Sequence, residues 1–276
     1  MTDQRSILIT GCSTGIGRHV AEGLKQRGYR VFATARRRED VEELCTLGFE
    51  ALQLDLACSA SIYHAFSAVM EMTGNTLYAL FNNGAYGQTG AVEDLGRDAL
   101  REQFEVNLFG THELTTLAIP VMRRQGYGRI IQNSSLLGYV ALKFRGAYNA
   151  SKYALEGLTD TLRMELSGSG IFVSLIEPGP IQSNFRLNAW RAFRQSIDSS
   201  RGHHSGAYAA LADRLQMEGP VAPFTLGPEA VLQRVIHALE SERPRVRYRV
   251  TFPAYLFACL KRVLPDRVMD WLLAKI

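Results

Sequence analysis

The stretch "ILITGCSTGIGRHV", residues 7–20, runs from four apolar and β-branched residues through three glycines and three small hydroxyl side chains into helix formers. A strand that passes through so bare a turn into a helix leaves backbone N–H groups pointing outward at the positive end of the helix dipole. The glycines let a ligand approach the backbone closely. The ligand expected there carries phosphate. Outward from this turn the chain repeats one pattern, in which short β-branched runs alternate with segments long enough for helices. The runs are "SILIT" (6–10), "YRVFATA" (29–35), "FEALQLD" (49–55), "LYALFN" (77–82), "GRIIQNSS" (128–135), "IFVSLIE" (171–177) and "RVRYRV" (245–250). Strands apolar on both faces and joined by helical crossovers build a doubly wound parallel sheet. The expected fold class is therefore α/β, a single domain with about seven strands.

Composition is consistent with that reading. The 276 residues are 46% hydrophobic and 21% charged, ordinary for one large core. The formal charge of +4 is local: residues 241–276 hold eight Lys/Arg against three Asp/Glu, so that tail carries +5 and the remainder −1. Without a basic stripe beside exposed aromatics, nucleic acid is not expected as a partner. The longest uncharged stretch of the tail, "VTFPAYLFACL" (250–260), is shorter than the roughly 20 residues of a spanning helix, and "MTDQRS" has none of the features of a secretory leader, so a cytoplasmic location is expected. Cys12, Cys45, Cys58 and Cys259 have neither CxxC spacing nor histidines in ligand register. They are expected to be reduced thiols, with no metal site. His203 and His204, in a Gly/Ser-rich segment, are expected to be solvated.

"AYNASKYALEGLTDTLRMEL" (147–166) reads as a helix, which puts Tyr148 and Lys152 at i and i+4 on one face. A phenol with an ordinary pKa near 10 is a poor base at neutral pH, and an ammonium nearby favours the phenolate. Ser135, thirteen residues earlier at the end of the fifth strand, offers a hydroxyl to a substrate carbonyl. These elements, with the spacing Gly11-x3-Gly15-x-Gly17 behind Thr10, resemble the short-chain dehydrogenase/reductases across nearly the whole chain. "FNNGAYGQTGAVEDL", "LRMEL", "SLIEPGPI" and the tail resemble the branch of bacterial aldehyde reductases, retinol dehydrogenases and 17β-hydroxysteroid dehydrogenases.

The resemblance implies a Rossmann-type fold and hydride transfer between a nicotinamide and an aldehyde or ketone. It implies catalytic roles for Asn107, Ser135, Tyr148 and Lys152: Tyr148 exchanges the proton, Ser135 holds the carbonyl, Lys152 also holds the nicotinamide ribose, and Asn107 completes a proton relay through water. Cofactor contacts are implied for Gly11, Ser13, Thr14, Gly15, Ile16 and Gly17 in the turn. The same holds for Asp55 and Leu56 at the adenine, for Asn83 and Gly84 after the fourth strand, and for Pro178, Gly179 and Ile181 near the nicotinamide. Two departures stand out: Gly84-Ala85 transposes the family's Ala-Gly, and Ser183 replaces its threonine. Homodimers or tetramers, paired through helices near 99–125 and 147–167, are also implied.

Cofactor choice rests on "VFATARRRED" (31–40). NAD enzymes place an acid at the end of the second strand for the ribose hydroxyls. Here that position is Ala35, and Arg36, Arg37 and Arg38 follow. A guanidinium fork suits a 2′-phosphate, so NADP is expected, with Arg36 as the phosphate ligand and Arg37 its helper. Residues 184–226 interrupt the pattern with Arg, His, Ser, Gly and Phe and read as a lid over substrate. Phe144, Phe185, Trp190, Phe193, Tyr208 and Phe224 are expected to line an apolar pocket for a fatty aldehyde, retinal or steroid. The basic, apolar tail at 251–276 is expected to cover that pocket or a subunit interface, with weak membrane-surface contact as the other reading. A nucleotide-sensing protein that has lost the chemistry is the remaining rival, against which the intact Asn107/Ser135/Tyr148/Lys152 set argues.

Overall fold

The computed structural model describes residues 4–200, 203–217, 219 and 222–276. Seven strands form one parallel sheet in the order β3-β2-β1-β4-β5-β6-β7. They are β1 (Ser6–Ile9), β2 (Arg30–Ala35), β3 (Glu50–Gln53), β4 (Ala79–Asn82), β5 (Gly128–Asn133), β6 (Ile171–Pro178) and β7 (Arg247–Val250). Each coincides with one of the apolar runs. In β1 and β4 every residue is buried, which is why these strands read as continuous apolar stretches instead of alternating ones.

Helices cover both faces. On one side α1 (Gly15–Gln26), α2 (Arg38–Thr46) and α9 (Glu229–Glu240) bury Val20, Leu24, Leu44, Val231, Val235 and Leu239 against Ile7, Ile9 and Val31. On the other, α3 (Ser59–Thr73), α5 (Gly110–Gln125) and α6 (Gly146–Glu165) flank Leu8, Phe32, Leu80 and Ile130 with residues such as Ile62, Val69 and Leu114. Each such side chain contributes about 1.5–3 kcal/mol of transfer free energy. β1 has β2 on one side and β4 on the other, so the chain reverses its winding there. The C-terminal ends of the strands open a crevice at that switch point, where the Gly-rich turn lies.

Two segments differ from the uniform pattern. The helical stretch before α5 is α4 (Arg97–Phe104) followed by a π turn over Glu105–Phe109 that contains Asn107. Residues 184–226 are not a plain loop: they hold α7 (Phe185–Ser196) and α8 (Ser205–Gln216), while residues 201, 202, 218, 220 and 221 of that segment lie outside the described residues. The tail forms α10 (Phe252–Val263) and α11 (Asp266–Leu273). Among the described residues no helix is long and apolar enough to cross a membrane.

Candidate active site

The Gly-rich turn is held from two sides. Thr10 Oγ1 accepts hydrogen bonds from the backbone N–H groups of Asn83 (2.9 Å) and Gly84 (2.8 Å), while Asn83 Nδ2 donates to the carbonyls of Thr10 (2.9 Å) and Gly11 (3.2 Å). A side chain at Gly17 would collide with the Gly11 carbonyl and the Asn83 amide, and Gly15 adopts φ +60 beside Ser183. The turn therefore has no room for Cβ atoms at these places. Thr14 caps α1 without a side-chain hydrogen bond, and the first turn carries no acid. That leaves Ser13, Thr14, Ile16 and the helix N–H groups available to an anion. Gly84 also resolves the transposed dipeptide: a Cβ there would press on Leu56 Cδ1 at 2.9 Å and Thr10 Oγ1 at 3.2 Å.

Ala35, buried at the end of β2, presents no carboxylate. Gln53 Nε2 holds the Arg36 carbonyl at 2.9 Å, and the Arg36 side chain is exposed with its charge reaching Tyr86. Among the described residues it makes no hydrogen bond or ion pair. Arg37 is occupied by Asp40, at 2.9 and 2.5 Å, and Arg38 by Glu42 at 3.2 Å. The expectation of Arg37 as helper therefore requires it to leave Asp40, whereas Arg36 is free as it stands. Asp55 accepts from the Ala57 N–H at 3.0 Å, beside partly exposed backbone. Gly179 packs against Thr251, with its N–H on the Val250 carbonyl at 3.0 Å, and Ile181 bridges to Leu226. Pro178 closes β6 directly before them.

Ser135, Tyr148 and Lys152 converge at the ends of β5 and α6. The Ser135 hydroxyl hydrogen-bonds Tyr148, and its oxygen also accepts from the Leu137 N–H at 3.1 Å. Burial pushes the Tyr148 phenol up to about 12, against the opposing pull of Ser135 and the positive charge of Arg145. Lys152 Nζ donates to the Asn133 carbonyl at 2.6 Å and lies 5.8 Å from the Tyr148 ring centroid. Its own value falls to about 8 through burial, which Glu156 opposes. The Lys152 ammonium thus donates to backbone while lying over the Tyr148 ring, and the charge of Arg145 acts on Tyr148 as well. Asn107, expected to complete a relay from Lys152 through water, lies in the π turn facing α6. It brackets Tyr86, accepting from its N–H at 3.1 Å and donating to its carbonyl at 2.9 Å, and it donates to Ser151 Oγ at 3.2 Å.

Arg145 is the group that motif reading missed, although "FRGAY" puts it one turn before Tyr148. The walls also sort differently from expectation. Phe185 meets Tyr148 edge-on at 5.2 Å and lines the site. Phe193 and Tyr208 are fully buried and fasten α7 to α8, with Trp190 stacked on Phe193 at 5.7 Å. Tyr208 accepts from the Ala91 N–H at 3.0 Å and donates to Asp94. Phe144 packs on Tyr208, and Phe224 is exposed against Phe252. His204 is not merely solvated: its Nε2 lies 2.6 Å from Glu93 Oε1. The tail covers the site from below, since Met269 and residues of α10 pack with Leu137, Val140 and Tyr148, and Tyr139 donates to the Ala254 carbonyl at 2.7 Å. Leu256, Val263 and Trp271 stay exposed. The described residues contain no cluster of three or more His, Cys, Asp or Glu fit for a metal.

A phosphate-ready turn at the switch point, set beside a buried serine, tyrosine and lysine, defines a dinucleotide-dependent oxidoreductase of α/β class. The family model described as short chain dehydrogenase matches residues 5–192, and the chain belongs to that family. It is 43% identical over 270 residues to the uncharacterized oxidoreductase YbbO of Escherichia coli, covering 98% of this chain and 94% of that protein. It is 34% identical to human 17-beta-hydroxysteroid dehydrogenase type 1, covering 89% of this chain and 77% of that one. A solved short-chain dehydrogenase from Streptomyces avermitilis superimposes with a TM-score of 0.80 at 29% identity, over 99% of this chain and 96% of the other.

Proposed function

We propose that this protein is an NADP(H)-dependent reductase of apolar aldehydes or ketones, working in reverse on the corresponding alcohols. The observation that carries the reading is the convergence of Ser135, Tyr148 and Lys152 beside the Gly-rich turn. When bound, the dinucleotide supplies or accepts the hydride. Everything else falls to the chain's own residues. Ser135 and Tyr148 share a hydrogen bond, so a substrate carbonyl oxygen placed between them is held by two hydroxyls and polarised without a metal. Tyr148 stays protonated at neutral pH, because its value near 12 is far above it, and is ready to give its proton to the oxygen. Lys152, whose Nζ donates to the Asn133 carbonyl, would also hold a ribose hydroxyl of the bound dinucleotide.

The free guanidinium of Arg36 beside the acid-free Ala35 supports NADP over NAD, since a 2′-phosphate completes a cation which otherwise has no partner. Asp55, Leu56, Asn83, Gly84, Pro178, Gly179 and Ile181 surround the same crevice and serve as further cofactor contacts. The two helices of 184–226 act as the lid. Exposed Phe109 on the π turn and Tyr153, Leu158 and Met164 on α6 suit pairing of subunits as dimers or tetramers. Steady-state rates with a panel of fatty aldehydes, retinal and ketosteroids against NADPH and NADH test the reading. NADPH is expected to exceed NADH by at least about tenfold in kcat/KM, equivalent to roughly 1.4 kcal/mol. Ala35→Asp is expected to reverse that preference, and Arg36→Ala to cost NADPH far more than NADH. Equal efficiency in the unmodified protein contradicts the cofactor assignment.

A further inference from the structure

Arg145 stands at the entrance to α6, three residues before Tyr148, and is partly buried. Its backbone is locked to the facing loop, since Gly90 bridges to Arg145 and the Gly90 N–H donates to the Phe144 carbonyl at 2.9 Å. Its guanidinium lies close enough to Tyr148 for each charge to act on the other, and within the fields of Arg186 and Arg214 from the two lid helices. Those two arginines spend N–H groups on backbone: Arg186 on the carbonyls of Arg214 (3.3 Å) and Gly219, Arg214 on the Ile276 carbonyl at 3.0 Å. The Arg145 carbonyl accepts from the Asn149 N–H at 2.8 Å, while its guanidinium makes neither a hydrogen bond nor an ion pair among the described residues. The acids on the facing loop are held elsewhere, Glu93 by His204 at 2.6 Å and Asp94 by Tyr208.

A partly buried guanidinium with no counter-ion among the described residues is costly, and two further cations nearby raise that cost. Consistent with this, burial and the neighbouring arginines lower its pKa from the usual value. A planar donor fork in such a place is complemented by a carboxylate, which it binds through two parallel hydrogen bonds. Phe185 meets Tyr148 edge to face at 5.2 Å, an apolar wall at the tyrosine that stands three residues after Arg145. We propose that Arg145 forms a carboxylate subsite, so that the substrate class is an oxo acid: a carbonyl compound whose apolar chain also bears a carboxylate. This rests on the carbonyl-reductase reading above and narrows it.

The test separates the two. Calorimetry on the full-length protein saturated with NADP+ compares octanoate with octanamide, which share shape but not charge. Octanoate is expected to bind at least tenfold more tightly, and Arg145→Met is expected to bring the ratio within about threefold, with Arg145→Lys retaining part of the preference. Equal affinities in the unmodified protein overturn the subsite, a comparison that needs no variant to fold. A ratio unchanged in Arg145→Met overturns it as well. Octanal reduction by NADPH is read in parallel. Turnover of octanal without preference for octanoate removes the subsite and leaves the reductase, whereas octanoate selectivity without turnover does the opposite.

Discussion

Burial moves Tyr148 and Lys152 in opposite senses, the phenol up to about 12 and the ammonium down to about 8, because in each case the charged form is penalised. Alcohol oxidation needs the phenolate, whose fraction grows as pH rises toward the tyrosine value. The oxidation rate is therefore expected to climb through pH 6–10 without a plateau, and a flat profile counts against Tyr148 as the base. The lysine shift is also a statement about stability. With its folded value below the unfolded one, charged Lys152 weakens the fold; that penalty is fully present below about pH 8 and is gone above the ordinary lysine value of 10.5. Lys152→Met is expected to raise Tm by about 2–4 °C at pH 7, with the gain fading by pH 10–11. Thermal melts across pH check both the size and the fading. At Gly17 the opposite holds, since Gly17→Ala drives a methyl group into the Gly11 carbonyl. A loss of about 1–3 kcal/mol and at least tenfold weaker dinucleotide binding are expected. Tyr148, Lys152, Ser135 and Gly17 were legible in sequence because their chemistry depends on spacing along one strand or helix. Arg145 was not, because its significance lies in a guanidinium that finds no partner among the described residues once the chain is folded.

Among the elements, the strands were legible wherever both faces are buried, since continuous apolar runs such as "SILIT" need no tertiary context. The two helices within 184–226 were not. α7 and α8 are rich in Arg, Ser and Ala, and their apolar residues meet one another and the 89–95 loop instead of the sheet. The π turn at Glu105–Phe109 was equally hidden, being one extra residue in an otherwise helical pattern. If α7 and α8 close over substrate, they are expected to be cut by protease in the free protein and protected by NADP+ with an aldehyde-derived ligand. Tyr208 fastens them to Ala91 and Asp94. Tyr208→Phe leaves a buried N–H and a carboxylate without that partner, a cost of about 1–3 kcal/mol. Faster cleavage within 184–216 is expected, and unchanged digestion in both experiments contradicts the lid.

At the scale of the molecule, the sheet order brings three distant parts of the chain to one crevice: the turn after β1, the serine after β5 and the α6 pair. The tail completes the floor by packing α10 and α11 beneath Leu137 and Tyr148, which accounts for part of its apolar content. The charge imbalance was visible in sequence, but the division of the tail between a packed face and an exposed one was not, because Leu256, Val263 and Trp271 stay exposed although they are as apolar as the residues that pack. The central claim is that this assembly moves a hydride while Tyr148 moves the proton. The most direct measurement is NADPH oxidation with a medium-chain aldehyde by the unmodified protein and by Tyr148→Phe, with NADPH binding measured on both. Turnover is expected in the first, a fall of several orders of magnitude in the second, and dinucleotide affinity within a few-fold. A Tyr148→Phe protein retaining more than about a tenth of the activity contradicts that claim.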